Sequence, residues 1–367
     1  MSVTATKSET MLAALRDLYA SYGYAPYRMR KFEEYDLYVR NKSFLLSDHM
    51  ITFTDREGRL MALKPDVTLS IVKNTRERAG TEKVYYHESV YRVDKGSDSF
   101  REITQVGLEC IGDVDDYALL EVLSLAEKSL SLVSEDYVLD VSHLGILSDL
   151  LSDAELSSEK EASLLSCIGE KNAHGILALC RENGVSAEKT EALCRLATLY
   201  GEADKVLPVL RDMPLGDAGQ AALDSLARVL GALEGTGAGR VRVDFSVVND
   251  MNYYSGIVFR GFVAGVPAGV LSGGEYDHLL RKMGKRGGAI GFAVYPDLLS
   301  DVQDTRPAYD LDALVLYDEK TDLLALRAAV DTLVLEGERV LAAKELPEKK
   351  TWRECYKLTE KGELVRA

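Results

Sequence analysis

Three polar residues in the first third of the chain have the types and spacing to bind a small zwitterionic ligand. Gln105 and Glu109 lie four residues apart in the run from Ile103 to Gly112, and Arg92 ends the preceding run from Lys83. Both runs are typical of β-strands, in which residues an even number of positions apart share one face. Taken singly, each residue could be an exposed strand position. Together, a guanidinium, an amide and a carboxylate on one face of an apolar sheet indicate a small-molecule site.

A second set of candidate site residues lies much further along the chain and combines tyrosines with glycine-rich segments. It comprises Tyr253 and Tyr254, the segment from Ser272 to Asp277 that includes Tyr276, and the run from Gly288 to Val294. Tyrosines also pack well in ordinary sheets, and Ser-Gly-Gly alone is typical of a turn. The ordered combination of these motifs with the first set favours one shared site.

The elements that would position these residues follow an α+β pattern. Residues 8–22 predict an amphipathic helix with Ser8 or Thr10 available as its N-cap. The runs 50–55 and 60–63 flank a glycine-containing turn and predict an antiparallel hairpin. We expect the strands at 83–92, 103–112 and 137–142 to extend this hairpin into one sheet. Alternating apolar residues predict another strand over 241–247.

The spacing of the apolar residues changes twice along the chain, and these changes suggest the domain organisation. Leucines at helical spacing fill residues 145–235 and predict a helical insertion. Residues 1–144 and 236–305 are then the two parts of one antiparallel core. Residues 306–367 contain one β-α-β pattern and a possible hairpin, which predicts a small α/β C-terminal domain.

Composition narrows the class of protein. The chain has 367 residues, 46% of them hydrophobic, which is enough for substantial cores. It lacks an apolar run of the ~20 residues that a membrane span needs, and the polar N-terminus does not resemble a signal peptide. The five cysteines are widely spaced and form no CxxC pair, which argues against a disulfide framework or a zinc site. We therefore expect a cytoplasmic protein without a metal or other cofactor.

These motifs, in this order and rough spacing, resemble the catalytic core of histidyl-tRNA synthetases over about residues 8–300. The resemblance is greater still to the synthetase paralogues that serve as regulatory subunits of ATP phosphoribosyltransferase, the first enzyme of histidine biosynthesis. It implies a class II aminoacyl-tRNA synthetase-like antiparallel sheet flanked by helices, with a truncated C-terminal domain. It also implies a homodimer, although Arg30 stands where the dimer-packing motif 1 usually ends in proline.

The resemblance also implies a role for each candidate residue. Asp66 and Thr68 would hold the ammonium group of histidine, with Asp66 replacing the usual glutamate. Arg92 would be the motif 2 arginine that grips the carboxylate and the α-phosphate of ATP, a bidentate role that lysine fills poorly. The imidazole site would be completed by four more residues: Gln105, Glu109, Tyr254 and Tyr276, with Tyr253 beside them.

Several departures from the synthetase pattern remove positive charge. The motif 3 arginine corresponds to Leu298, and the arginine of the Arg-Gly-Leu-Asp-Tyr-Tyr element corresponds to Asn249. Glu275 replaces a further arginine, and Ser99 stands where the motif 2 loop commonly has one. Each loss removes roughly a few kcal/mol of transition-state stabilisation. We therefore predict that the chain does not activate histidine with ATP.

The sequence thus favours a non-catalytic regulatory subunit that assembles with the short-form catalytic subunit of ATP phosphoribosyltransferase and contributes to feedback inhibition by histidine. The net charge of −15 also makes tRNA binding an unfavourable interpretation. Two alternatives stay open at this point: a divergent histidyl-tRNA synthetase, and a free-standing histidine sensor with another partner.

Overall fold

The protein divides into two compact units in the computed structural model, which describes residues 7–41, 50–75, 80–93, 99–152, 156–234, 240–247, 253–299, 309–359 and 364–367. The larger unit is Met11–Leu299, and the smaller one combines Met1–Thr10 with Ser300–Ala367. None of the described helices combines the length and apolar composition that crossing a membrane requires.

The elements are numbered in chain order. The strands are β1 Ala25–Pro26, β2 Phe32–Glu34, β3 Thr52–Thr54, β4 Leu60–Leu63, β5 Thr81–Val93, β6 Phe100–Gly112, β7 Tyr137–His143, β8 Tyr200–Gly201, β9 Val241–Asp244, β10 Ile257–Val263, β11 Leu271–Glu275, β12 Gly288–Val294, β13 Leu311–Leu316, β14 Val340–Ala343, β15 Trp352–Leu358 and β16 Leu364–Arg366. The helices are α1 Lys7–Ser21, α2 Tyr35–Arg40, α3 Thr68–Asn74, α4 Asp116–Val133, α5 Leu144–Leu151, α6 Ser158–Gly169, α7 Ala173–Glu182, α8 Ala187–Thr198, α9 Ala203–Arg211, α10 Asp217–Glu234, α11 Asp277–Lys282 and α12 Leu323–Leu335.

A nine-stranded sheet in the order β1-β5-β6-β12-β11-β10-β7-β9-β8 forms the frame of the larger unit. Its central pairs are antiparallel, and β5 and β6 make a 13-residue ladder from Thr81↔Gly112 to Val93↔Phe100. The expected α+β class with a large antiparallel sheet flanked by helices is confirmed.

The hairpin expected at 50–63 forms, but it does not extend the large sheet. β3 and β4 pair with each other, and β2 pairs with the opposite edge of β4, in a separate sheet of order β2-β4-β3. Because both edges of β4 are occupied, no backbone groups of this strand are left for β5. The expectation of one continuous sheet was wrong here.

Two smaller expectations also fail at element ends. Helix α1 is described from Lys7 to Ser21, so Ser8 and Thr10 lie inside the helix and are not its N-cap. Strand β9 ends at Asp244, and residues 245–247 form a short 3-10 helix. There the side chain of Asp244 accepts a hydrogen bond from the amide of Ser246 at 2.8 Å, a local turn that competes with the extended strand.

Helix α4 covers one face of the large sheet, and α3 and α11 pack against part of the opposite face. The N-terminus of α4 is capped by Asp115, which accepts from the amide of Ala118, and its apolar residues join the main core. Gly261 on β10 allows the close approach, since an added Cβ would lie 2.6 Å from a methyl group of Leu130. Phe259 and Phe292 pack on this same side with ring centroids 6.2 Å apart.

Helices α5 to α10 lie in sequence between β7 and β9, which pair in parallel. A parallel pair of strands requires a crossover connection, and this helical segment forms the connection between β7 and β9. The domain limits inferred from the sequence remain a prediction.

In the smaller unit, β13 lies between β14 and β15, to which it pairs in parallel, and β16 completes the sheet. Leu326 and Leu333 of α12 pack on Ala313 and Val315 of β13.

Candidate functional site

A cavity of about 240 Å³ lies on the sheet face opposite α4. All the candidate residues selected from the sequence line it: Asp66, Thr68, Arg92, Gln105, Glu109, Tyr253, Tyr254 and Tyr276. The structure also places Ser272 of the predicted second set there, together with three polar residues that the sequence reasoning missed: Tyr86, Arg260 and Tyr295. Strand alternation could have identified Arg260, because it lies two residues from Val258 on the face opposite Phe259.

Small residues in adjacent strands make the floor of the cavity. Gly291 pairs with Glu109 and with Gly274, so the three residues lie side by side on β6, β12 and β11. A Cβ added at Gly291 would lie 1.8 Å from a carboxylate oxygen of Glu109, and one at Gly107 would lie 2.6 Å from the hydroxyl of Tyr86. Glycine is therefore required at both positions for the polar side chains to reach the cavity.

Glu109 is the most completely enclosed charged group of the site. Its side chain accepts hydrogen bonds from Thr68 Oγ1 at 2.8 Å and from the Tyr276 hydroxyl at 2.6 Å. Burial raises the pKa of Glu109 to about 8, although both hydrogen bonds act in the opposite direction. A group poised in this way near neutral pH can bind either protonation state of an imidazole ring.

Asp66 and Thr68 reach the cavity from the start of α3. The Asp66 Oδ1 accepts from the amide of Leu69 at 2.8 Å, which satisfies one of the free amides at the N-terminus of this helix. Burial raises the pKa of Asp66, and its hydrogen bond to Leu69 and the neighbouring charge of Arg92 partly offset this effect. Asp66 thus orders the loop as well as presenting a carboxyl group to the cavity.

Arg92 lies near the end of the β5-β6 ladder that is closed by Val93↔Phe100, and Gln105 lies near the middle of β6. Arg92 is half-buried, and its Nε donates to the carbonyl oxygen of Pro65 at 2.9 Å. Gln105 is buried on the same face of β6 as Glu109. The expected convergence of guanidinium, amide and carboxylate is therefore present in the cavity.

The three tyrosines form an aromatic wall. The ring centroids of Tyr253 and Tyr254 lie 4.7 Å apart at 70°, and those of Tyr253 and Tyr276 lie 6.1 Å apart at 49°. Burial raises the pKa of both Tyr253 and Tyr276 well above the ordinary value, so both hydroxyls stay protonated at neutral pH.

Two positions where synthetases carry arginines have different contacts in this protein. Leu298 is 41% exposed and does not line the cavity, while its neighbour Asp297 accepts from the amide of Thr104 at 2.7 Å. Glu275 accepts from the amide of Ile257 at 2.5 Å, and burial raises its pKa to about 7. The Asn249 position lies outside the described residues. Where the structure describes the chain, it contains no cluster of three or more His, Cys, Asp or Glu side chains that could hold a metal ion.

Comparison with known proteins agrees with this architecture. The profile of the histidyl-tRNA synthetase family matches residues 2–299. An ATP phosphoribosyltransferase regulatory subunit from Thermoanaerobacter pseudethanolicus is 32% identical over 289 residues, which cover 76% of this chain and 74% of that protein. Another from Acetivibrio thermocellus is 27% identical over 317 residues, covering 83% and 76% respectively.

A solved structure of a similar protein has the same fold. It is described as an ATP phosphoribosyltransferase regulatory subunit/histidyl-tRNA synthetase from Bacillus halodurans. It superimposes with a TM-score of 0.77 and 25% identity, over 93% of this chain and 90% of that one. The match to the family profile includes every residue of the cavity described above. The chain therefore belongs to the family of histidyl-tRNA synthetase-like ATP phosphoribosyltransferase regulatory subunits.

Proposed function

We propose that this protein is a non-catalytic regulatory subunit of ATP phosphoribosyltransferase and that its cavity binds histidine. The observation that carries the proposal is the contrast within one site. The residues expected to bind the amino acid surround buried Glu109 and all line the cavity. By contrast, at two positions where synthetases carry an arginine, Leu298 lies outside the cavity and Glu275 accepts a hydrogen bond from the backbone. A cytoplasmic location fits this biosynthetic role.

The cavity is chemically suited to the groups of histidine. Glu109, held by Thr68 and Tyr276, can accept from a ring N–H, and the tyrosine wall supplies flat apolar surface. Asp66 offers a carboxyl group for the ammonium. Because buried polar groups would be left unpaired by an analogue without the ring N–H, we expect strong preference for histidine.

Binding is tested by thermal melting and calorimetry with histidine. A ligand that binds only the folded state adds RT ln(1 + [L]/Kd), or ~2.7 kcal/mol at a hundredfold excess over Kd. We expect the melting temperature to rise with histidine and to rise less in Glu109→Ala. An unchanged melting temperature at millimolar histidine, with no heat of binding in calorimetry, would contradict histidine binding in the cavity.

The absence of catalysis is tested by histidine-dependent pyrophosphate exchange. Adenylation develops negative charge on phosphorus, which synthetases stabilise with arginines and metal ions. Since Leu298 and Glu275 supply no positive charge at two of these positions, we expect no exchange above a heat-killed control and no charging of tRNA. Robust exchange would favour the divergent synthetase instead.

The partner is tested by co-expression with the short-form catalytic subunit of the same organism. We expect a hetero-oligomer, built on a homodimer of this chain, with phosphoribosyltransferase activity that neither chain shows fully alone and that histidine inhibits. By linkage, the factor by which histidine changes the affinity between the two chains must equal the factor by which the catalytic subunit changes the histidine affinity of this chain. Separate elution at micromolar concentration with an unchanged catalytic rate would favour a free-standing sensor.

A further inference from the structure

Lys285 follows closely on the end of α11, and the geometry of this helix end fixes its backbone. Gly284 has a φ of +72°, a left-handed conformation that favours glycine. The amide of Lys285 then donates back to the carbonyl oxygen of Leu280 at 2.9 Å, a common way for a helix to end at glycine. The backbone of Lys285 is therefore held against α11, while its side chain reaches α3.

The ammonium group of Lys285 binds the C-terminal end of α3. Its Nζ donates to the carbonyl oxygens of Val72 and Thr75 and, at 3.4 Å, to that of Lys73. Carbonyl groups at the end of a helix lack intrahelical partners and form the negative end of the helix dipole. Because an ammonium group has three N–H donors, one side chain can satisfy all three carbonyls.

The two helices that Lys285 joins also meet at their other ends, on the carboxylate of Glu109. Thr68 is the first residue of α3 and donates from Oγ1 at 2.8 Å. Tyr276 immediately precedes α11 and donates from its hydroxyl at 2.6 Å. The pair of helices is thus connected at both ends, by Glu109 at the start and by Lys285 at the end.

The position of these helices depends on such tertiary contacts. With seven residues in α3 and six in α11, neither is long enough to be stable by its own hydrogen bonds. Their apolar side chains share one buried cluster, which sets their depth without fixing them along their axes. Directional contacts to backbone carbonyls fix that remaining freedom, since a hydrogen bond weakens steeply when its angle changes.

We propose that Lys285 is a positioning residue of the amino-acid site, which holds α3 against α11 so that the hydroxyls of Thr68 and Tyr276 stay on the two oxygens of Glu109. The inference rests on the proposed histidine binding. Lys285 does not line the cavity, so it influences the ligand only through these two helices.

Calorimetry with histidine measures what the ammonium group contributes. Lys285→Met keeps a long side chain and removes the donors. Groups that orient binding residues change affinity by about ten- to a hundredfold in metal sites, and we expect a loss of about tenfold here. Lys285→Arg keeps a cation beside the same carbonyls and should lose less than about threefold. Thermal melting checks that each variant is folded.

Lys73→Met is the matched control at the same end of α3. The Lys73 ammonium pairs with Glu33 at 2.7 Å, is 41% exposed, and connects α3 to β2, not to α11. An exposed pair of this kind contributes little, so histidine affinity should stay within about twofold of the wild type.

A double-mutant cycle separates positioning from a general loss of stability. Thr68→Val removes the hydroxyl that α3 offers to Glu109, so Lys285 has less left to position. Residues that act through one another have non-additive effects, and Thr68→Val/Lys285→Met should bind histidine within about threefold of Thr68→Val alone. A lysine that only stabilises the fold would cause the same loss in both backgrounds.

Three results would overturn the proposal: an unchanged affinity in Lys285→Met, an equal loss in Lys73→Met, or a full loss repeated in the Thr68→Val background. If Lys285→Met does not fold, Lys285→Gln takes its place in the same cycle, with a loss of about threefold expected because its neutral amide still donates. Wild-type protein that binds no histidine would instead refute the proposed function, and the role of Lys285 with it.

Discussion

Replacing Glu109 by glutamine should change how the stability of the protein depends on pH. The buried carboxyl has a pKa of about 8 in the folded protein against an ordinary 4.5. Between these values the folded state holds a proton that the unfolded chain releases, so the free energy of unfolding falls as pH rises. The slope is roughly 1.4 kcal/mol per pH unit. From pH 5 to pH 8 the loss amounts to about 3.5 kcal/mol, because the slope is smaller close to each pKa.

Glu109→Gln keeps the shape of the side chain and cannot ionise. The hydroxyls of Thr68 and Tyr276 can accept from its amide group as readily as they donate to the carboxylate. The variant should therefore resemble the wild type at pH 5 and become progressively more stable than it towards pH 8.

The assay is urea unfolding of both proteins at half-unit intervals from pH 5 to pH 8.5, in the absence of histidine. Other groups titrate in this range, including Asp140 with a pKa of about 6 and Glu275 with one of about 7. These are common to both proteins, so the difference between the two curves isolates Glu109. A difference that stays flat across the range would refute the inference that Glu109 is neutral in the unliganded protein.

Two further substitutions test the floor of the cavity and the loop beside it. Gly291→Ala should abolish histidine binding and cost about 1–3 kcal/mol, because the new methyl group would overlap Glu109; calorimetry and urea unfolding measure this. The matched control Gly231→Ala, in α10 with no atom within 4 Å of the added Cβ, should stabilise the protein by up to about 1 kcal/mol. Lys64→Met should destabilise by about 3–5 kcal/mol in urea unfolding because it leaves the Glu88 carboxylate without its buried partner. A Lys64→Met variant as stable as the wild type would show that the pair does not hold the loop.

The chemistry of the cavity was largely predictable from local patterns. The period of two in β6 places Gln105 and Glu109 on one face whatever the rest of the chain does. The glycines of the segments 272–277 and 288–294 likewise indicate places where backbone or ligand comes close. Local periodicity also predicts most strands and helices, because it reflects which residues must be buried on one side of each element.

Other features depend on contacts between residues far apart in sequence. Whether the hairpin at 50–63 joins the large sheet depends on β2 taking the free edge of β4, which no local pattern records. Two hydrogen bonds likewise join separate segments of the chain. Asp297 accepts one from the amide of Thr104, and Glu275 accepts the other from the amide of Ile257.

The sequence alone therefore determined the types of the elements and the residues available for binding, because side-chain chemistry and periodicity are local properties. Only the tertiary structure decided which charges are engaged and which face the cavity. Arg92 and Arg260 are the same residue type on two strands, and both line the site. Arg92 donates to the carbonyl oxygen of Pro65, whereas Arg260 lies across from Ser272 and Asp140, because strand order and register, set by long-range pairing, determine what lies opposite each side chain.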